Sequence, residues 1–139
     1  MKAMLLGLLA LAGASTLAGQ PSIRVEADVP FAFEMADKKL PAGDYRVSEG
    51  CLSGCLLVAN QKALDSAFAM RGTVLNYGPN SGMTIQLVFN KYGDRYFLSE
   101  IWSTGIAHRL MKSNSEKALV TSKLITAVPE RVVVLAHGF

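Results

Sequence analysis

The sequence predicts an all-β protein: an antiparallel β-sandwich or small partly closed β-barrel, with one short helix near the C-terminal third. Three observations carry this. From Ile23 to Met35, Ile23, Val25, Ala27, Val29, Phe31, Phe33 and Met35 alternate with Arg24, Glu26, Asp28, Pro30, Ala32 and Glu34, the period of a strand with one buried face. The remainder divides into short apolar runs separated by Gly, Pro, Asn and Asp, the punctuation of β-turns. Only Ser113-Asn114-Ser115-Glu116 reads as a helix start, a serine cap with a glutamate three residues on.

The elements follow in order. Beyond Met35, Ala36 to Lys39 forms a polar turn, and Leu40-Pro41-Ala42-Gly43 aims the chain into a strand from Asp44 to Glu49. Gly50 to Gly54 is a second turn, Cys55 to Ala59 a third strand and Asn60 to Asp65 a polar reversal. Ser66 to Asn76 is a long strand in which Gly72 marks a bulge. After the loop from Tyr77 to Gly82, Met83–Tyr92 and Arg95–Ser103 flank Gly93-Asp94, a pair suited to a two-residue hairpin turn. A helix is predicted over Asn114–Val120 and a last strand over Arg131–Ala136, which makes seven or eight strands in all.

Ahead of this domain lies an export signal. Lys2 is followed by an apolar centre from Met4 to Leu11 and by Thr16-Leu17-Ala18, a small-x-small cleavage site. Residues 1–18 are therefore read as a signal peptide and residues 19–139 as one β domain, bound for the periplasm or the medium. The apolar run to Ala18 is shorter than the ~20 residues that span a bilayer, and the mature chain carries no second candidate span. The net charge of +3 falls to +2 without Lys2, and Lys38-Lys39 is the only adjacent basic pair after the signal. With no basic stripe to track a phosphate backbone, nucleic acid is not an expected partner.

The segments Val29-Pro30-Phe31-Ala32-Phe33, Leu40-Pro41-Ala42-Gly43-Asp44-Tyr45 and Tyr92-Gly93-Asp94-Arg95-Tyr96-Phe97-Leu98-Ser99-Glu100-Ile101-Trp102 together resemble a group of small exported bacterial proteins. The pattern VPFxF, LPAGxY, YGDxYFLSExW covers most of residues 25–120. The resemblance implies a β domain behind a signal peptide and brings no activity or site residue with it. The CLSGC segment lies outside the pattern.

Candidate chemistry is sparse. Cys51 and Cys55 are the only cysteines, and in an exported chain their separation across a turn fits a disulfide. The loop is short, so the bridge would stabilise by only about 2 kcal/mol. Redox catalysis would want the C-x-x-C spacing and a helix N-terminus to lower a thiol pKa. His108 and His137 have no carboxylate at i+3 or i+4 and read as surface or loop residues, so neither metal nor cofactor is expected. No G-x-S-x-G elbow and no glycine-rich phosphate cradle occurs.

Glu100 is the polar residue the pattern singles out. A two-residue turn at Gly93-Asp94 pairs Tyr92 with Arg95, Phe89 with Leu98, Leu87 with Glu100 and Ile85 with Trp102. That register places Glu100 on the apolar face, desolvated unless Arg46, Arg71 or Arg109 reaches it. A three-residue turn moves it to the opposite face, beside Gln86. The bland reading of Glu100 is a solvated or salt-bridged strand residue. The leading expectation is a non-catalytic module that binds a protein partner or itself through edge strands. Second is a carrier of a small apolar ligand in a barrel interior lined by Ile85, Leu87, Phe89, Leu98, Glu100 and Trp102; a hydrolase-type enzyme using Glu100 is third.

Overall fold

A computed structural model describes residues 23–50, 54–62, 65–78, 80, 82–122 and 128–139. The signal segment and Cys51 lie outside the described residues. The run predicted as one strand is two, β1 (Val25–Val29) and β2 (Phe33–Met35). Pro30 has no N–H to give a ladder, and between Val29 and Phe33 the chain leaves one sheet for another. The inward alternation survives the break, for Val25, Ala27, Val29, Phe33 and Met35 are all buried. A third strand, β3 (Lys38–Leu40), returns along β2 where a turn was expected.

Two sheets result, and strands that change sheet join them at both sides. β4 (Gly43–Glu49), β5 (Cys55–Asn60) and the start of β6 (Ser66–Asn76) continue the first sheet from β1. The second is built on β7 (Gln86–Tyr92), β8 (Arg95–Ser103) and β9 (Ile106–Leu110). Residues 66–70 of β6 pair with β5, whereas Arg71 and residues 73–76 pair with β9. The register slips at Gly72, as the bulge predicted there requires, and the strand turns the corner. At the other side β10 (Glu130–Leu135) pairs with β7, and after Ala136 the two-residue β11 (His137–Gly138) pairs with β1. The ladder runs from β10 to β11 without closing into a barrel.

The all-β class is as the sequence predicts, and so is the short helix α1 (Asn114–Thr121), the single one among the described residues. The strand count is not: the described residues form eleven strands rather than seven or eight. β3 was hidden because two of its three residues are exposed lysines. β9 was hidden because consecutive Ala107 and His108 are both buried, so no alternation shows. No described helix is long and apolar enough to cross a membrane.

Between the sheets lies one core. Phe33 packs edge-on against Tyr45 and Phe89 at ring-centroid distances of 5.0 and 5.2 Å, and Phe31 packs edge-on against Phe89 at 4.9 Å. Leu40, Leu56, Leu87 and Ile101 complete the fully buried centre. Tyr45 keeps its hydroxyl satisfied by donating to the Pro41 carbonyl. Phe33→Ala should lose about 3–5 kcal/mol in urea unfolding. Val128→Ala, at a residue 95% exposed, should change stability by less than about 0.5 kcal/mol.

Candidate functional site

The β7–β8 hairpin decides where Glu100 points. Gly93, at φ +59°, supplies the positive dihedral of a two-residue turn, and pairing proceeds as predicted from Tyr92↔Arg95 to Phe89↔Leu98. There the register shifts. Ser99 is extra, so Glu100 pairs with Val88, Ile101 with Leu87 and Trp102 with Gln86. This corrects the expected pairing of Leu87 with Glu100 and of Ile85 with Trp102. A one-residue slip exchanges faces: Leu87, Phe89 and Leu98 stay in the core with Ile85 packed against it, while Glu100 and Trp102 turn to the outer face. The six residues singled out from the sequence do not share one site.

On that outer face both Glu100 oxygens are engaged. Oε1 accepts from Arg109 Nε and Nη2 at 3.4 and 3.3 Å. Oε2 accepts from Trp102 Nε1 at 3.1 Å and pairs with Arg131 Nη1 at 2.9 Å. Of the three arginines considered from the sequence, Arg109 is the one that reaches it. The carboxylate thus ties β8 to β9 and β10. Tyr77 stacks on Trp102 at 6.0 Å, and Arg131 lies 5.9 Å from the indole centroid.

A second arrangement was not foreseen. Where β6 begins to turn between sheets, a pocket of about 240 Å³ opens between its residues 68–70, the β2–β3 turn, β8 and the start of α1. Its apolar lining includes Met35, Phe68, Met70, Phe97, Leu98 and Met111. Met35 and Phe97 are buried, whereas Phe68, Met70 and Met111 are more than half exposed. Three of the six methionines of the chain therefore meet at one place.

Polar groups at this pocket are held with unusual care. Ser113 caps α1, its Oγ accepting from Glu116 N at 3.2 Å. The Glu116 carboxylate does not return to the cap as a full capping box would. It is buried beneath the helix, where Oε2 accepts from Tyr92 Oη at 2.9 Å and Asn90 Nδ2 at 3.0 Å. Burial first, then Glu116, pushes Tyr92 up to about 12, so the phenol keeps the proton it donates. Opposite, Ala36 and Asp37 both have positive φ, 48° and 62°. Such strain is costly for an alanine and is secured by Asp37 Oδ1, which accepts from Ser115 N and Oγ, each at 2.8 Å. The Ser115 amide, then its hydroxyl, hold the Asp37 carboxyl below its ordinary value. Glu34, beside them, is gripped by Arg95 through two nitrogens at 2.9 and 2.8 Å. The sequence signalled Glu116 only as a helix-start residue. Nothing in its spacing said that β7 would lie beneath it.

No family model, curated protein or solved structure matches this chain. Cys55 opens β5 as a buried residue; the expected bridge to Cys51 falls on a residue outside the described set. Among the described residues no group of three or more His, Cys, Asp or Glu is placed to hold a metal ion.

His108 corrects an expectation, since it is buried at 3% exposure rather than in a loop. It sits opposite Ile101 and Val74 in β9, and among the described residues neither ring nitrogen has a hydrogen-bond partner. Desolvation, then the charge of Arg71, pushes its pKa down to about 4. The unfolded chain takes up the proton near pH 6.5, while the fold refuses it down to about 4. Stability from the neutral ring is complete above pH 6.5 and is lost as pH falls toward 4, by roughly 2–4 kcal/mol. Urea midpoints at pH 7.5 and 4.5 should show this loss, and His108→Leu should diminish it.

Proposed function

We propose that the chain is an exported, non-catalytic binding module whose site is the pocket between β2, β6, β8 and α1. The supporting observation is the convergence of Met35, Met70, Met111, Phe68 and Phe97 on one opening. Methionine and phenylalanine supply adaptable, polarizable surface for an apolar guest. The volume lies below the ~300–1,000 Å³ of pockets for drug-sized molecules, which suits a fragment-sized ligand or one side chain of a partner. This keeps the apolar-ligand reading and moves it from a barrel interior to the mouth between two sheets. Glu100, already paired with two arginines, is assigned a structural part. Binding of hexanol, followed by ligand-detected NMR, should be lost in Met70→Lys, with the urea midpoint unchanged because Met70 is 59% exposed. Undiminished binding in that variant would remove the assignment.

A second reading rests on β10. It begins the strand order, so one of its edges lacks a ladder among the described residues, and Val133 and Leu135 are exposed on it. An apolar edge of this kind invites pairing with a second copy of the chain. Native mass spectrometry of the exported protein should give a dimer that Val133→Lys dissociates. A strict monomer at micromolar concentration would exclude self-association. The same spectrum tests removal of residues 1–18 and the loss of two hydrogens in a Cys51–Cys55 bridge.

A further inference from the structure

Resting on the pocket reading, the geometry points to a ligand class: we propose that the pocket binds an organic ammonium, a protonated amine on a short apolar stem, with Glu116 receiving the charge. Glu116 is 3% exposed and yet lines the pocket. Its Oε2 takes both donors, Tyr92 Oη and Asn90 Nδ2, and among the described residues Oε1 takes none. One oxygen is thus fixed from below, and the other is left as an oriented acceptor. Oε1 is not among the buried atoms that lack a partner, so it keeps access to the pocket. There a ligand that brings an N–H donor and a positive charge gives it a charge-assisted hydrogen bond.

The surrounding charge agrees. The pocket is lined by Glu34, Asp37 and Glu116 against a single basic residue, Lys112. Glu34 is neutralised by Arg95, whereas neither Asp37 nor Glu116 forms an ion pair among the described residues. The chain is basic overall, so this acidic spot is local. A carboxylate ligand would meet repulsion here. A hard divalent cation would want six or more oxygen ligands gathered on one point, and among the described residues no three acidic side chains are placed to hold a metal ion. The rest of the wall is largely thioether and phenyl carbon. Both are favourable neighbours for an alkylammonium, whose stem packs on Met35, Met70 and Met111 while its charge can lie against the exposed Phe68 ring. The latched Ala36-Asp37 turn holds the second carboxylate at the rim, where its negative charge adds to the attraction for a cation.

The deciding experiment compares ligands of one shape and different charge on the unmodified protein: hexylamine, hexanol and hexanoate, by calorimetric titration at pH 7.5. Hexylamine should bind at least about tenfold more tightly than hexanol, with hexanoate weakest. Glu116→Gln should bring hexylamine to the level of hexanol and leave hexanol unchanged. Equal affinity for the amine and the alcohol would overturn the ammonium assignment and leave the apolar pocket standing. Failure of all three ligands to bind would remove both. Because the series on the unmodified chain decides by itself, the inference does not depend on how Glu116→Gln folds. Acetyl-lysine-amide in a fourth titration separates two sources of the same chemistry. Tighter binding than hexylamine assigns the ammonium to a protein side chain, and weaker binding assigns it to a free amine.

Discussion

Phe33, Tyr45 and Phe89 meet edge-to-face at the point where two sheets would otherwise part, and the rest of the structure is arranged around that contact. Tyr45 comes from the first sheet, Phe89 from the second, and Phe33 from the short strand that has just crossed between them. Such ring pairs add about 0.5–1.5 kcal/mol each beyond their buried area. They also fix the separation and angle of the sheets. With that distance set, β6 must bend at Gly72, and the C-terminal strand must pass from β7 to β1 within the span of Ala136.

The pocket is a consequence of the same constraint. β6 pairs with β5 up to Met70 and with β9 from Arg71 onward. The edge of residues 68–70 is therefore open on the side where the second sheet has not yet begun. A corner strand in a two-sheet fold leaves such a wedge, and here α1 and the β2–β3 turn cover it partly. The energy held in the left-handed Ala36-Asp37 turn is repaid through the helix, since Asp37 secures Ser115. Strain and latch together position a carboxylate at the mouth, an arrangement that a looser and cheaper turn would not give.

The segments VPFxF, LPAGxY and YGDxYFLSExW acquire a physical meaning in this setting. Val29, Phe33, Leu40, Tyr45, Phe97 and Leu98 are core residues, and Pro41 accepts the hydrogen bond of Tyr45. Gly93 makes a turn, Ser99 a bulge, and Glu100 and Trp102 an interlocked pair on the outer face. The pattern describes how the fold is braced. Of its residues, Phe97 and Leu98 line the pocket, whereas Phe68, Met70, Met111 and Glu116 come from outside it. That division explains why motifs legible in the sequence did not lead to the candidate site.

By itself the sequence determined the β class, the inward face of β1 and β2, the bulge at Gly72, the hairpin at Gly93-Asp94 and the capped helix. Each is a local matter of period, turn chemistry or capping, settled within a few neighbouring residues. Tertiary structure decided the faces of Glu100 and Trp102, the burial of His108, the sheet changes at Pro30 and Ala136, and the meeting of three methionines above Glu116. A bulge is one residue of register, which no apolar pattern records, yet it exchanges every side chain beyond it between the two faces of the sheet. A pocket assembled from β2, β6, β8 and α1 depends on how sheets cross, and crossing is set by packing between residues far apart in the chain.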